Sequence, residues 1–251
     1  MILLLAGAAE GRDLAKKLVS NGFGVVACAA TSYGEELLKD SGAETLGRRL
    51  SSEDIENLIR EKNIGALVDA THPYAQEVSR AAVQACRRTG TAYIRYQRPA
   101  SQIKSHPLVY KAKSYLEAAE KAAEMGEVIF LATGSKTLKV FLDAARKRKR
   151  KVVARILPDQ ESLRYCFELG LKPSDVVAVQ GPFSTGLNKE ILRHYRASVL
   201  VTKDGGTAGG FAEKIAAAVE LGIPVVVVER PEPPPGAVER FDELLEILKG
   251  K

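Results

Sequence analysis

Cysteine is scarce in this chain of 251 residues, and the three present, Cys28, Cys86 and Cys166, match no Cys-x-x-Cys or Cys/His ligand spacing. Each reads as a small buried hydrophobe, and no structural metal is expected. Long apolar runs are also missing: none approaches the roughly 18 to 20 residues that cross a bilayer. The opening MILLLAG has no basic residue before it and meets Glu10 and Arg12 almost at once. It reads as a first buried strand, not a signal peptide. A soluble, cytoplasmic protein without a membrane partner is expected. The basic block Arg146 to Lys151 lacks the interleaved aromatic residues that serve nucleic acid as stacking platforms. It closes a predicted helix, where cations complement the dipole and stay solvated, so no nucleic-acid partner is expected.

What is present is globular in character. Hydrophobic residues make up 45% and charged residues 27%, and 27.1 kDa suffices for one large domain or two small ones. A net charge of +6 and a pI near 9.1 favour an anionic partner.

Apolar runs alternate with amphipathic stretches along the first half: Ile2 to Ala6, Phe23 to Ala30, Glu44 to Leu46, Ile64 to Ala70 and Tyr93 to Tyr96 read as strands. Leu14 and Leu18 stand at helical spacing, with Asn21 and Gly22 as helix end. A helix is expected near Glu35 to Lys39. Ser51 and Asp54 make a capping box for a helix burying Ile55, Leu58 and Ile59. The helix after Ala70 buries Val78, Ala82 and Cys86 and ends at Gly90. After a loose stretch, Arg98 to Pro107, the plan repeats with strands near Val128 to Ala132, Val152 to Ile156, Val176 to Val179, Val199 to Thr202 and Pro224 to Val228. This alternation predicts an α/β protein of two Rossmann-like domains with parallel sheets, residues 1–100 and 101–251, and a cleft between them. The prolines of PEPPP, 231 to 235, lead into a last helix over Glu239 to Lys249.

Open parallel sheets bind ligands outside the carboxyl ends of their strands. The turns there read GAAEG, TSYG and DATHPYA in the first half, and TGSKT, QGPFS and KDGGTAGG in the second. GAAEG, Gly7 to Gly11, follows the first strand and opens the first helix, where backbone amides and the dipole favour a pyrophosphate. Its Gly-x-x-x-Gly spacing departs from Gly-x-Gly-x-x-Gly. The second strand ends in Ala30, Thr31, Ser32 and Tyr33, without the carboxylate that an NAD site places there. Those hydroxyls, with Arg48 or Arg49, suit a 2′-phosphate and lean toward NADPH, with NADH the alternative. TGSKT has no upstream glycine at the spacing a P-loop needs. In DATHPYA, residues 69 to 75, Pro73 can start a helix and Thr71 cap it. Equally, His72 and Tyr74 can face a cofactor, and spacing alone leaves both readings open.

Taken in order, LLLAGAAEGR, DATHPYA, RYQRP (Arg95 to Pro99), LATGSKTL, the RILP at 155 to 158, QGPFS with Asn188, and TKDGGTAGG with Lys214 resemble the precorrin-6A reductases of cobalamin biosynthesis, from residue 1 to about 231. The resemblance implies a cytoplasmic oxidoreductase that passes hydride from NAD(P)H to carbon 19 of precorrin-6A or its cobalt form, an anionic tetrapyrrole received from and handed to neighbouring pathway enzymes. It implies that Gly7, Ala8, Ala9, Glu10 and Gly11 hold pyrophosphate and ribose, that Thr31, Ser32, Tyr33 and Arg48 lie near the adenosine end, and that Thr71, His72, Pro73 and Tyr74 lie beside the nicotinamide. Ser135, Lys136, Arg155, Gln180, Ser184, Asn188, Lys203, Gly205, Gly206 and Lys214 fall on the tetrapyrrole side. The basic members suit a substrate rich in carboxylates. Lys203, Asp204 and His72 are candidate proton donors beside solvent, and Asp204 also suits a helix cap or a partner of Lys203. Ala8 replaces a common Thr of the family and Gly205 a common Ser, which removes a hydroxyl at each place. Two alternatives are a reductase of another anionic metabolite, against which the missing Tyr-x-x-x-Lys pair counts, and a non-catalytic tetrapyrrole-binding protein.

Overall fold

The computed structural model describes residues 1–97, 105–205 and 209–250, and for residues 8–10 and Ser32 the backbone alone. Five apolar runs of the first half are parallel strands: β1 (Ile2–Ala6), β2 (Val25–Ala29), β3 (Glu44–Gly47), β4 (Ala66–Ala70) and β5 (Ala92–Arg95). Their order is β3-β2-β1-β4-β5. Successive side chains leave a strand on opposite faces. Ile2 and Leu4 therefore pack with Leu14 and Leu18 of α1 (Ala8–Ser20), whereas Leu3 and Leu5 pack with Ile55 and Leu58 of α3 (Ser52–Glu61) and Ala82 and Ala85 of α4 (Gln76–Thr89). Burial on both faces explains why β1 and β2 read as unbroken apolar runs.

Local signals behave as their chemistry requires. Ser51 and Asp54 form the capping box of α3, and Gly90 closes α4 at φ 71. The second helix, α2 (Ser32–Glu36), starts earlier than expected because the Thr31 hydroxyl accepts from the Gly34 amide at 3.0 Å; a 3₁₀ turn, Lys39–Ser41, follows. All three cysteines are buried, and burial pushes the Cys28 thiol up to about 12.

Six parallel strands build the second sheet: β6 (Val109–Ala112), β7 (Val128–Leu131), β8 (Lys151–Ile156), β9 (Val176–Ala178), β10 (Val199–Lys203) and β11 (Val225–Val228), in the order β6-β11-β10-β7-β8-β9. Sequence reading missed β6. It is an edge strand whose Tyr110 and Lys111 are exposed, so it lacks the apolar run of its neighbours. Phe130, Val153, Leu200 and Val225 pack with Leu192 of α8 (Thr185–His194) and Phe211, Ala217 and Ala218 of α9 (Phe211–Glu220). Helices α5 (Tyr115–Met125) and α6 (Leu138–Lys147) also pack on this sheet, and α7 (Gln160–Glu168) follows β8. The basic block at the end of α6 is engaged by surface carboxylates: Arg148 pairs with Glu124 at 2.9 Å and Lys151 with Asp175 at 2.8 Å. No helix among the described residues is long and apolar enough to cross a membrane.

The expected division at residue 100 needs a correction at its far end. The chain forms two compact units, Met1–Pro99 with Pro231–Lys251 and Ala100–Arg230. The last helix, α10 (Phe241–Lys249), thus belongs to the first unit and not to the second. The reason is coverage. Helix α1 packs on β1 and β2, and the same face continues through Val68, Ile94 and Tyr96, where Leu244 and Leu248 of α10 fill in. Val238 then extends the sheet beside β5, its amide donating to Arg95 O at 2.8 Å and its carbonyl accepting from Gln97 at 2.9 Å.

Leu244 is completely buried. Leu244→Ala should lower the stability of the first unit by about 2–5 kcal/mol, visible as a lower urea midpoint; an unchanged midpoint would mean that α10 adds nothing to this core.

Candidate functional site

Strand order reverses between β1 and β4 in the first sheet and between β7 and β10 in the second. Such switch points open a crevice at the carboxyl edge. In the first unit the turns after β1 and β4 touch: a Cβ on Gly7 would meet the His72 nitrogen at 2.8 Å and the Ala70 oxygen at 3.0 Å, and the Gly7 amide donates to Ala70 O at 3.3 Å. Only glycine fits this approach. Gly7 is also the N-cap of α1 and gives that helix no side-chain cap, so first-turn amides stay available to an anion. A cradle that a Cβ would fill, next to an uncapped helix start, fits the pyrophosphate of a dinucleotide. Gly11 has another role. A Cβ there would lie 2.7 Å from Ala6 Cα, so it lets α1 pack against the end of β1.

The polar turn DATHPYA is held from beneath. Asp69 on β4 and Arg95 on β5 are register partners in neighbouring strands, with 0% and 5% of their side chains exposed, and pair at 2.7 Å. Asp69 also accepts from Ser79 Oγ at 2.6 Å, Tyr93 Oη at 2.8 Å, Thr71 Oγ1 at 2.6 Å and the Thr71 amide at 3.0 Å. Arg95 clamps the turn by donating to Thr71 O at 2.8 Å. Burial by itself pushes the Asp69 carboxyl up, but Arg95 with the Ser79 and Thr71 hydrogen bonds outweighs it and holds the group below the usual carboxylate range. The same burial, with the Asp69 charge, raises the Tyr93 phenol. Above this network His72 stacks on Tyr74 at 5.2 Å between ring centroids, and His72 Nδ1 accepts from the Tyr74 amide at 3.4 Å.

In the second unit a basic cluster occupies the switch edge. Lys136 stands in the 3₁₀ turn Ser135–Thr137 after β7, Arg155 near the end of β8, Lys203 at the end of β10 and Lys214 on α9. Arg155 donates to Asn188 Oδ1 at 3.2 Å and lies 5.4 Å over the Phe183 ring. Burial and the nearby Lys136 lower the Lys203 ammonium. Burial, Arg155 and Lys203 bring Lys214 down to about 7, against a smaller opposing effect of Glu213.

The family profile described as "Precorrin-6x reductase CbiJ/CobK" matches residues 1–249. The chain belongs to this family. As a precorrin-6x reductase it is an oxidoreductase of cobalamin biosynthesis. A cobalt-precorrin-6A reductase of Priestia megaterium is 38% identical over 99% of this chain and 98% of its own length. One from Methanothermobacter thermautotrophicus is 38% identical over 92% and 76%. The solved structure of "CobK precorrin-6A reductase" aligns with 99% of this chain and 96% of its own at a TM-score of 0.75 and 24% identity, which supports the fold of two parallel-sheet units.

The cap expected of Thr71 and the helix start expected of Pro73 come out differently, and the other named residues have these local partners. Thr71 does not cap the following helix, which starts at Gln76 with Ala75 as its N-cap; the hydroxyl turns inward to Asp69. Neither does Pro73 open it. Arg48 is bound to Asp54 of the capping box at 2.7 Å, so a 2′-phosphate there would compete with a carboxylate. Thr31 caps α2, and Tyr33 is exposed. Asp204 is an ion-pair partner of Arg230 at 3.2 Å. Ser184 caps α8, Ser135 shares a hydrogen bond with Ser162 at 3.0 Å, Gln180 is exposed and Gly205 follows β10. Gly206 lies outside the described residues, as do the side chains of Ala8, Ala9, Glu10 and Ser32.

Sequence reasoning left Asp69, Ser79, Tyr93 and Arg95 out of the site. Its missed signal was a pair of opposite charges inside two otherwise apolar strands. Arg95→Ala should leave a buried carboxylate unpaired and cost about 3–5 kcal/mol, read from denaturant unfolding at neutral pH. The folded Asp69 carboxyl titrates below its ordinary 3.8, so the wild-type contribution is present above that value and is lost as pH falls through the folded one. The gap between wild type and variant should therefore narrow in acid, and a gap independent of pH would contradict the pairing.

Proposed function

We propose that this chain reduces one double bond in the macrocycle of cobalt-precorrin-6A, with NADPH at the β1/β4 edge of the first unit and hydride delivered to carbon 19. The observation that carries the reading is the contact of Gly7 with the Thr71–His72 backbone beside an α1 start that lacks a side-chain cap. A bound reduced nicotinamide would supply the hydride, so the protein's task is orientation and exclusion of water. Arg95 and Asp69 perform the first part by fixing Thr71 through its carbonyl, hydroxyl and amide.

NADPH is preferred over NADH because Thr31 and Tyr33 follow β2 where an NAD site carries a carboxylate. The cobalt form is preferred because the two relatives at 38% identity bear that name. In the second unit Lys136, Arg155, Lys203 and Lys214 would receive carboxylates of the macrocycle, with Asn188 orienting Arg155. The reduction also needs a proton beside carbon 19. Since Asp204 is tied to Arg230, Lys203 and His72 stand ahead of it. His72 accepts at Nδ1 from the Tyr74 amide, so Nε2 is the ring nitrogen that carries the proton of the neutral imidazole.

The test is an anaerobic spectrophotometric assay of purified protein with NADPH or NADH and, separately, precorrin-6A and its cobalt form. Nucleotide oxidation coupled to a spectral change of the macrocycle, fastest for NADPH and the cobalt form, is expected. Faster turnover with NADH or with the metal-free macrocycle would overturn that preference, and folded protein without turnover of either macrocycle would overturn the reading itself.

A further inference from the structure

Beside the DATHPYA turn the first unit has a groove of about 410 Å³, lined only by its own residues. Val83 of α4, Tyr93 of β5, and Pro231 and Pro234 from the stretch before α10 give it apolar surface. Ser79, Tyr93 and Arg95, the residues that hold Asp69 beneath Thr71, also line it. So does Pro73 of the turn itself.

The three arginines of α4 differ in their surroundings. Arg88 turns to α3 and pairs with Glu56 at 2.9 Å. Arg80 and Arg87 line the groove and pair with no carboxylate among the described residues. Arg80 donates only to the Gln76 side-chain oxygen, at 3.1 Å, and Arg87 has no hydrogen-bond partner among the described residues. Seven residues are two helical turns, so the two side chains leave one face of α4 about 10 Å apart along its axis. Arg95 is already spent on Asp69, and Glu232, which also lines the groove, pairs with neither free arginine. Two uncommitted guanidiniums beside apolar surface suit a ligand with an apolar stem and a carboxylate tip, which a guanidinium grips through two parallel hydrogen bonds. The phosphates of the nucleotide are not that anion. They belong at the ends of β1 and β2, and β4 separates β5 from β1.

We propose that this groove takes a carboxylate arm of the macrocyclic substrate, its methylenes against Val83 and Tyr93 and its carboxylate between Arg80 and Arg87. The proposal rests on the reading of the substrate given above, which brings the macrocycle to the Thr71–His72 turn. Pro73 follows that turn directly and lines the groove, so an arm projecting from a macrocycle seated there enters it. The seated arm lies against Tyr93, Ser79 and Arg95. One hydrogen-bonded network thereby supports both the arm and the turn.

Anaerobic absorbance titration of the full chain with cobalt-precorrin-6A, without nucleotide, tests the site in wild type and in the double variant Arg80→Gln, Arg87→Gln. Both side chains are exposed and outside any ion pair among the described residues, so the variant should melt as wild type does. Its affinity for the macrocycle should fall about tenfold or more, the loss of charge-assisted hydrogen bonds, while its affinity for NADPH stays the same. Unchanged macrocycle affinity in the folded variant would overturn the inference and leave the reductase reading intact. Phenylglyoxal labelling of wild type, read at Arg80 and Arg87 by peptide mass spectrometry, needs no variant. Cobalt-precorrin-6A should shield both arginines, and NADPH or citrate at the same concentration should shield neither. Shielding by NADPH would give the groove to the nucleotide, and equal shielding by citrate would give it to any free carboxylate; either result rules out the arm, as does labelling that the macrocycle leaves unchanged. A wild type that neither binds nor reduces the macrocycle removes the reading and the inference together.

Discussion

Parallel strands must be covered on both faces, and this constraint arranges nearly everything else in the protein. Strands β1, β2, β4 and β5 of the first sheet each feed one core with alternate residues and another with the residues between, as Leu4 and Leu3 do. Polar chemistry has no room along such strands. It is displaced to the carboxyl edge, where Gly7 meets the Thr71–His72 turn in one unit and Lys136 and Lys203 flank the strand reversal in the other.

Where charge does enter a strand, it enters as a matched pair. Asp69 and Arg95 hold equivalent positions on neighbouring strands, so the sheet register itself supplies the geometry of their contact. Such a pair is a poor source of net stability. Its value lies in geometry: one guanidinium and one carboxylate together fix the hydroxyl, amide and carbonyl of Thr71. Lys214 is the contrary case, a buried cation whose neighbours are mostly cations.

Much of this was legible in the residues alone. Burial on two faces writes itself as apolar runs such as ILLLA and VVVV, and ten of the eleven strands among the described residues were read from the sequence. The edge strand β6 escaped because Tyr110 and Lys111 face solvent and break the run. Residues of the site were recognisable as types at the right turns, yet their partners were not. Pairings such as Arg48 with Asp54 or Asp204 with Arg230 depend on three-dimensional proximity. Thr71 shows the limit well: its position before a helix suggests a cap, and only the buried Asp69 beneath it turns the hydroxyl the other way. The return of α10 to the first sheet was equally hidden, since its apolar face would suit either unit.

That return has a consequence for how the protein is made. The first sheet is complete as a sheet by β5, but Val68, Ile94 and Tyr96 gain their cover from Leu244 and Leu248, more than a hundred residues further along the chain. A ribosome delivers Ala100–Arg230 in between, and every strand and helix of that unit is local to it. The unit that is translated second can thus close its core first. The first unit, whose strands come earlier in the chain, waits for Leu244 and Leu248.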